Sequence, residues 1–255
     1  MANVVAIIGT SGGVGTSTVT AHLAAARVAH KKETLAFDFC PNNVLRLHFA
    51  MPWADGAGFA PSLLNGGNWY ENAYRSAGGI DFVPFGKLQN DAELAQLTSW
   101  LAARPDWFKE RQDEIELRAE THIICDCPHA HPALRDQVLA AAGMVLIVMQ
   151  PDSLSYARAA QIAQASATAG GPPVSLLLNG FNPARSLDRD ILSLLRTNLK
   201  EHLAPVHIHQ DESLREAFAC KQTVFEFAPS SQSAYEFQAL TTWLAARISK
   251  MRKHA

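Results

Sequence analysis

The chain has 255 residues, 48% of them hydrophobic, and its 24 acidic side chains against 22 basic ones leave a formal net charge of −2. That is material for one large α/β domain spanning 1–255, and so balanced a charge gives no global attraction to nucleic acid, so no direct nucleic-acid partner is expected. The N-terminal stretch lacks the pattern of a signal peptide and no run approaches the roughly 20 apolar residues of a membrane span, which makes the cytoplasm the expected location.

Val4 to Ile8 is a short apolar run of the kind a buried parallel strand needs. Thr10-Ser11-Gly12-Gly13-Val14-Gly15-Thr16-Ser17-Thr18 follows, and alanine-rich helical spacing runs from Ser17 to Ala29. Strand, glycine loop and helix are the parts of a phosphate-binding loop. Its glycines let successive backbone N–H groups converge on phosphate oxygens, and the helix N-terminus adds partial positive charge. Ser11, Gly12, Gly13, Val14, Gly15, Thr16, Ser17 and Thr18 are therefore the candidate nucleotide contacts. The common pattern places Lys where Thr16 stands, then a Ser or Thr whose hydroxyl reaches Mg2+. Ser17 fills the second role and Thr16 cannot fill the first. A glycine turn that binds nothing is the alternative.

Thr34 to Asp38 is a second short strand that ends in a carboxylate where open α/β sheets place their ligand chemistry. Asp38 is a candidate for contact with Mg2+ or its water, the alternative being a helix cap or loop carboxylate. Trp53 to Trp69, with Gly56, Gly58, Gly66 and Gly67, predicts a loop with short helices. Phe82-Val83-Pro84 predicts the start of a further strand, and Trp107 to Glu120 a charged helix. Thr121 to Pro128 is a hydrophobic strand running into Asp126, a second candidate for holding Mg2+. Cys125, Cys127, His129 and His131 are metal-ligand types, but their alternation strings them along one strand face instead of closing a tetrahedral cage. The four cysteines fit reduced thiols, not a disulfide framework.

Gly143 to Met149 predicts another buried strand, and the following segment opens a helix capped at Asp152 or Ser153 that carries Arg158. Pro172-Pro173 punctuates a connection, Val174 to Leu178 is a strand ending before Asn179, and Val206 to Asp211 is a loop with Gln210. Leu240, Trp243, Leu244 and Ile248 form a helical stripe within 235–255, followed by Lys250, Arg252 and Lys253. The favoured reading packs that stripe on the domain and leaves a solvated basic tail; a membrane-binding amphipathic helix is the alternative.

The loop, the two carboxylate-ended strands and the Asp126-Cys127-Pro128 ending resemble the MinD/ParA-type ATPases, whose loop reads Lys-Gly-Gly-x-Gly-Lys-Ser/Thr. In that pattern Ser11 and Thr16 stand where both lysines would be, and Cys40 stands where a second Asp orients the attacking water. The resemblance narrows to the BcsQ family, the MinD-like proteins of bacterial cellulose secretion systems. It rests on the lysine-free loop, Asp38 followed by Cys40-Pro41 and Asn43-Val44-Leu45-Arg46-Leu47, Val83-Pro84-Phe85-Gly86, Ile208-His209-Gln210-Asp211-Glu212, and Lys221-Gln222. It implies a three-layer P-loop NTPase fold, a mostly parallel central sheet with helices on both faces. It further implies an ATP- and Mg2+-bound sandwich homodimer with weak or absent hydrolysis, a small partner of the BcsR type, and docking on the cytoplasmic face of the membrane cellulose synthase complex. Asn179, Gln210 and Asp211 then become candidate adenine contacts, a generic turn residue being the alternative for Asn179. Arg158 becomes a candidate charge supplied to the γ-phosphate from the second protomer, the alternative being an exposed helix arginine with no role. A slow cycling ATPase that positions DNA or a cell-pole complex is the alternative function.

Overall fold

A computed structural model describes residues 3–114, 117–118, 120–168 and 171–254. Strands and helices alternate as β1 (Asn3–Gly9), α1 (Thr16–Ala29), β2 (Thr34–Asp38), α2 (Phe59–Leu64), β3 (Tyr74–Arg75), β4 (Asp81–Val83), α3 (Asp91–Ala102) and α4 (Trp107–Arg111). They continue as β5 (His122–Cys127), α5 (Pro132–Ala141), β6 (Met144–Met149), α6 (Ser153–Thr168), β7 (Val174–Phe181), α7 (Ser186–Asn198), β8 (Ile208–His209), α8 (Glu212–Ala219), α9 (Val224–Phe227) and α10 (Gln232–His254).

The strands form one sheet in the order β3-β4-β2-β5-β1-β6-β7-β8, parallel except at the β3–β4 pair. β1 lies between β5 and β6, where the winding of the chain reverses, and in sheets of this kind the crevice beyond the strand C-termini is the ligand position. Period-2 alternation sends β1 side chains to both faces: Val4, Ala6 and Ile8 join one core, Val5 and Ile7 the other. The first core is aromatic, with Phe37, Phe39, Phe59 and Phe108 at ring separations of 4.6 to 5.2 Å. The second lies under α1, whose Ala21, Ala24 and Ala25 are buried. Such small side chains let helix and sheet approach closely.

Leu240, Leu244 and Ile248 of α10 are buried in the second core and Trp243 is packed against it, so the C-terminal stripe faces the domain, as favoured. Two other expectations change. The helix expected over Trp107 to Glu120 ends at Arg111 and passes into a 3-10 turn, Gln112–Glu114, a stretch with no apolar side chain to bury; residues 115, 116 and 119 lie outside the described ones. The strand expected to stop at Leu178 runs on to Phe181, because Asn179 pairs with Ile208 and Phe181 with His209.

A buried histidine pair ties α1 to its surroundings. His22 Nδ1 donates to the Thr18 carbonyl at 2.7 Å, and its Nε2 accepts the Val224 N–H at 3.0 Å, which fixes the neutral tautomer. His48 meets it edge-on at 5.7 Å. Burial pushes His22 down to about 4 and His48 to about 3. Both therefore stay neutral when folded and take up protons more readily when unfolded. Their contribution is complete above about pH 6.5, the ordinary histidine value, and is lost as pH falls toward the folded-state values. Between about pH 7 and about pH 5, His22 alone should cost the fold about 2 kcal/mol, read as a falling urea midpoint. That slope should flatten in His22→Gln.

Candidate functional site

The loop after β1 turns at the sheet's C-terminal edge and delivers the chain into α1. Gly15, the residue before α1, holds φ at 97°, and a Cβ there would sit 2.4 Å from Asn179 Nδ2, so this position is closed to any side chain. The reason is a brace: Asn179 Nδ2 donates to the Val14 carbonyl at 2.7 Å. Ser11, Gly12, Gly13, Gly15, Thr16, Ser17 and Thr18 line a cavity of about 510 Å3. Val14 differs from its neighbours, since its side chain is buried in the second core and it can offer a ligand only backbone.

The base of the loop is held from α6. Thr10 Oγ1 donates to Ser155 Oγ at 3.1 Å, and Ser155 Oγ donates to Asp152 Oδ2 at 2.9 Å. Asp152 also accepts the Ser155 N–H at 2.8 Å, which makes it the cap expected from the sequence. Arg158 Nη1 donates to the Thr10 carbonyl at 2.8 Å. The arginine is thus engaged beneath the loop of its own chain and borders a second cavity instead of lining the first.

On the opposite wall Asp126 lines the cavity, and Asp38 sits beside it as its register partner on the neighbouring buried parallel strand. Both are fully buried. Asp38 Oδ1 accepts the Cys40 N–H at 2.8 Å, while Asp38 Oδ2 and both oxygens of Asp126 have no hydrogen-bond partner. Burial raises Asp126 to about 6, tempered by the nearby Ser17 hydroxyl and Cys40 thiol, and burial together with the Asp126 charge raises Asp38 well above the usual carboxylate range. Two desolvated carboxyls side by side, of which Asp126 lines the cavity, are a site in need of a cation. Unpartnered carboxylate oxygens, with the Ser17 hydroxyl beside the same cavity, fit the all-oxygen preference of Mg2+.

The remaining wall comes from residues 40–48. Arg46 is buried and spends its guanidinium on the carbonyls of Asn43, Pro52, Trp53 and Asp55 at 2.6 to 3.1 Å, pinning this segment against the site. His48 reaches the cavity beside Phe218, with ring centroids 4.5 Å apart.

Among the nucleotide candidates, Asn179, Gln210 and Asp211 are not part of the cavity lining, although Asn179 abuts it behind Val14 and Gly15. Gln210 Oε1 accepts from Asn182 Nδ2 at 3.2 Å, and Asp211 caps α8 by accepting the Ser213 N–H while also taking the Ser233 N–H. Cys125 and Cys127 are both buried in the first core, the face their alternation gives them, and His129 Nδ1 lies 3.2 Å from the Gly9 carbonyl. Among the described residues, the metal-ligating groups that converge are Asp38, Cys40 and Asp126. His48, Phe218 and Arg46 were not read from the sequence as site residues. The one signal was the compact Asn43-Val44-Leu45-Arg46-Leu47-His48 run, whose charged members lie among apolar ones.

The family model described as "Cellulose biosynthesis protein BcsQ" matches residues 1–245. The cellulose biosynthesis protein BcsQ of Escherichia coli (strain K12) is 28% identical over 249 residues, covering 98% of this chain and 96% of that protein. The fold is similar to that of the Pyrococcus furiosus cell division ATPase MinD, with a TM-score of 0.79 at 19% identity, over 97% of this chain and 100% of that one. It is also similar to the septum site-determining protein MinD from Pyrococcus horikoshii OT3, complexed with Mg-ADP. There the TM-score is 0.76 at 16% identity, over 98% and 99% of the two chains. This likeness establishes the P-loop NTPase architecture, a mostly parallel eight-stranded sheet between helices.

Proposed function

Because the chain belongs to the cellulose biosynthesis protein BcsQ family, we propose that it holds Mg-ATP between two copies of itself. In that state it serves as an accessory protein of the bacterial cellulose synthase secretion complex, with little or no hydrolysis. One observation carries the reading: the glycine loop lines a cavity at the N-terminus of α1, while the side chains that drive turnover in related loops are replaced by Ser11, Thr16 and Cys40. Binding needs only converging N–H groups and the α1 N-terminus. Hydrolysis additionally needs charge on the γ-phosphate and an oriented water.

In this reading Ser17, Asp38 and Asp126 hold Mg2+, which supplies positive charge to the β- and γ-phosphates when bound. Thr16 and Thr18 offer hydroxyls to the phosphates. Asn179 keeps its Nδ2 on the Val14 carbonyl, leaving Oδ1 as the acceptor for the adenine amino group, with Gln210 and Asp211 at the base's outer edge. Arg158 acts across the dimer only if it leaves the Thr10 carbonyl. No helix among the described residues is long and apolar enough to cross a membrane, so recruitment to the synthase runs through protein partners, among them a small protein of the BcsR type.

The test is mass-resolved light scattering with and without Mg-ATP, followed over hours by chromatography of the extracted nucleotide. A stable dimer carrying intact ATP, lost in Ser17→Ala, is the expected result. ADP accumulating as the dimer falls apart would restore the cycling ATPase, and the absence of any nucleotide would leave a loop that binds nothing.

A further inference from the structure

We propose that Asp38, Cys40 and Asp126 form a binding site for a thiophilic divalent cation, with Zn2+ as the representative ion, that fills without nucleotide. The inference rests on the reading that both carboxylates face a cation, and it departs from Mg-ATP binding by making Cys40 a direct ligand.

The donor atoms of the three side chains all lie within 4.8 Å of one another. A tetrahedral ion at about 2.3 Å from sulfur and about 2.0–2.2 Å from oxygen would hold its ligands roughly 3.3–3.8 Å apart, so the three side chains close on the ion as it binds. The carboxylates are placed by the sheet, as a register pair on two buried strands. Cys40 is placed by its own backbone, since its N–H on Asp38 Oδ1 turns the chain back over the pair.

The second observation is the set of unpartnered oxygens. Asp38 Oδ2 and both oxygens of Asp126 lie on fully enclosed residues without a hydrogen bond of normal geometry, although the Ser17 hydroxyl and the Cys40 thiol are near enough to Asp126 to favour its charged form. Leaving them so is costly, and a cation is the partner that satisfies three oxygens together. The fourth position opens on the cavity beside Ser17, where water or a phosphate oxygen completes the shell. As the metal–sulfur bond forms, the Cys40 thiol releases its proton to solvent.

Sulfur decides the ion. Mg2+ demands near-octahedral oxygen ligation, whereas thiolate with carboxylate selects Zn2+ and its Co2+ surrogate. Competing thiols are placed differently. Cys127 Sγ donates to the Cys125 carbonyl at 3.5 Å, Cys125 is enclosed in the core, and Cys220 is exposed at the end of α8.

The experiment titrates the nucleotide-free full chain, in a Cys220→Ser background, with Co2+ and follows the near-ultraviolet thiolate-to-cobalt charge-transfer band. The expected result is a band that saturates at one Co2+ per chain, is displaced by Zn2+ but not by Mg2+, and disappears in Cys40→Ser. Far-ultraviolet circular dichroism verifies the fold of that variant, and Cys40→Ala, which should also lose the band, serves if it is unfolded. No band in the starting protein, or a band that survives Cys40→Ser or is lost instead in Cys127→Ser, overturns the proposal. Ser17→Ala separates the two readings. If fluorescent ATP analogues fail to bind the starting protein while the cobalt band is intact, only the nucleotide reading falls. Nucleotide binding that is lost in Ser17→Ala, in a chain that shows no cobalt band, removes only the thiophilic site.

Discussion

Thr16→Lys combined with Cys40→Asp is expected to raise ATP turnover on the order of 10²-fold or more, with nucleotide affinity changed far less. Both positions line the cavity at the glycine loop. A lysine at Thr16 would bring a mobile charge to the γ-phosphate from the first residue of α1, and a carboxylate at Cys40 would orient the attacking water. The two changes should not act independently. Cys40→Asp alone adds a third acid next to Asp38 and Asp126, which burial has already pushed up, and is expected to lower stability before it raises any rate. The lysine supplies the missing counter-charge, so the double variant should be both more active and more stable than Cys40→Asp. Single-turnover phosphate release measures the first property and thermal midpoints the second. A double variant that binds ATP but turns over no faster would place the deficit elsewhere than in these two side chains. A starting protein that already turns over at the rate of the double variant would end the reading of ATP as a held ligand.

The parts of this fold visible in the sequence are those dictated by local chemistry. Parallel strands buried on both faces must be continuous apolar runs, so β1, β2, β5 and β6 could be placed to within a residue or so, and Asp38 and Asp126 stood out as charges at or near the ends of such runs. The glycine loop was equally legible, because few other arrangements need that spacing between a strand and a helix. What stayed hidden depends on partners far along the chain. Asn179 reads as an ordinary turn residue until its amide is found on Val14, 165 positions away. Arg158 looks free to cross a dimer until the Thr10 carbonyl appears beneath it. Arg46 sits in a run that was singled out, yet nothing local says that its guanidinium gathers four carbonyls. The C-terminal stripe was visible as a stripe. Its choice of core over membrane follows from α1, whose alanines leave room for a second helix to reach the same core.

Gly58→Ala is expected to be the most damaging single methyl group in the chain, costing about 3 kcal/mol or more. A Cβ at Gly58 would lie 2.2 Å from the Gly86 nitrogen, 2.4 Å from its Cα and 2.5 Å from the Phe85 carbonyl carbon. All three are backbone atoms, so no rotamer change can relieve the contact. The segment after β4 cannot retreat either. The Phe59 N–H donates to the Pro84 carbonyl at 3.1 Å and the Ala60 N–H to the Phe85 carbonyl at 3.0 Å, so α2 is stitched to the strand's continuation on each side of the clash. Phe59 meanwhile packs on Phe37, Phe39 and Phe85 at ring separations of 5.1 to 5.4 Å. Separating α2 from this segment would therefore open the aromatic core as well as break two hydrogen bonds. The damage should also reach the nucleotide cavity, because Gly58 lies three residues after Asp55, one of the four carbonyl partners that anchor Arg46 and with it residues 40–55. A fall in the urea midpoint with an unchanged slope, accompanied by weaker ATP retention, is the expected signature. A variant within about 1 kcal/mol of the starting protein would mean that α2 and the β4 continuation are not in this contact.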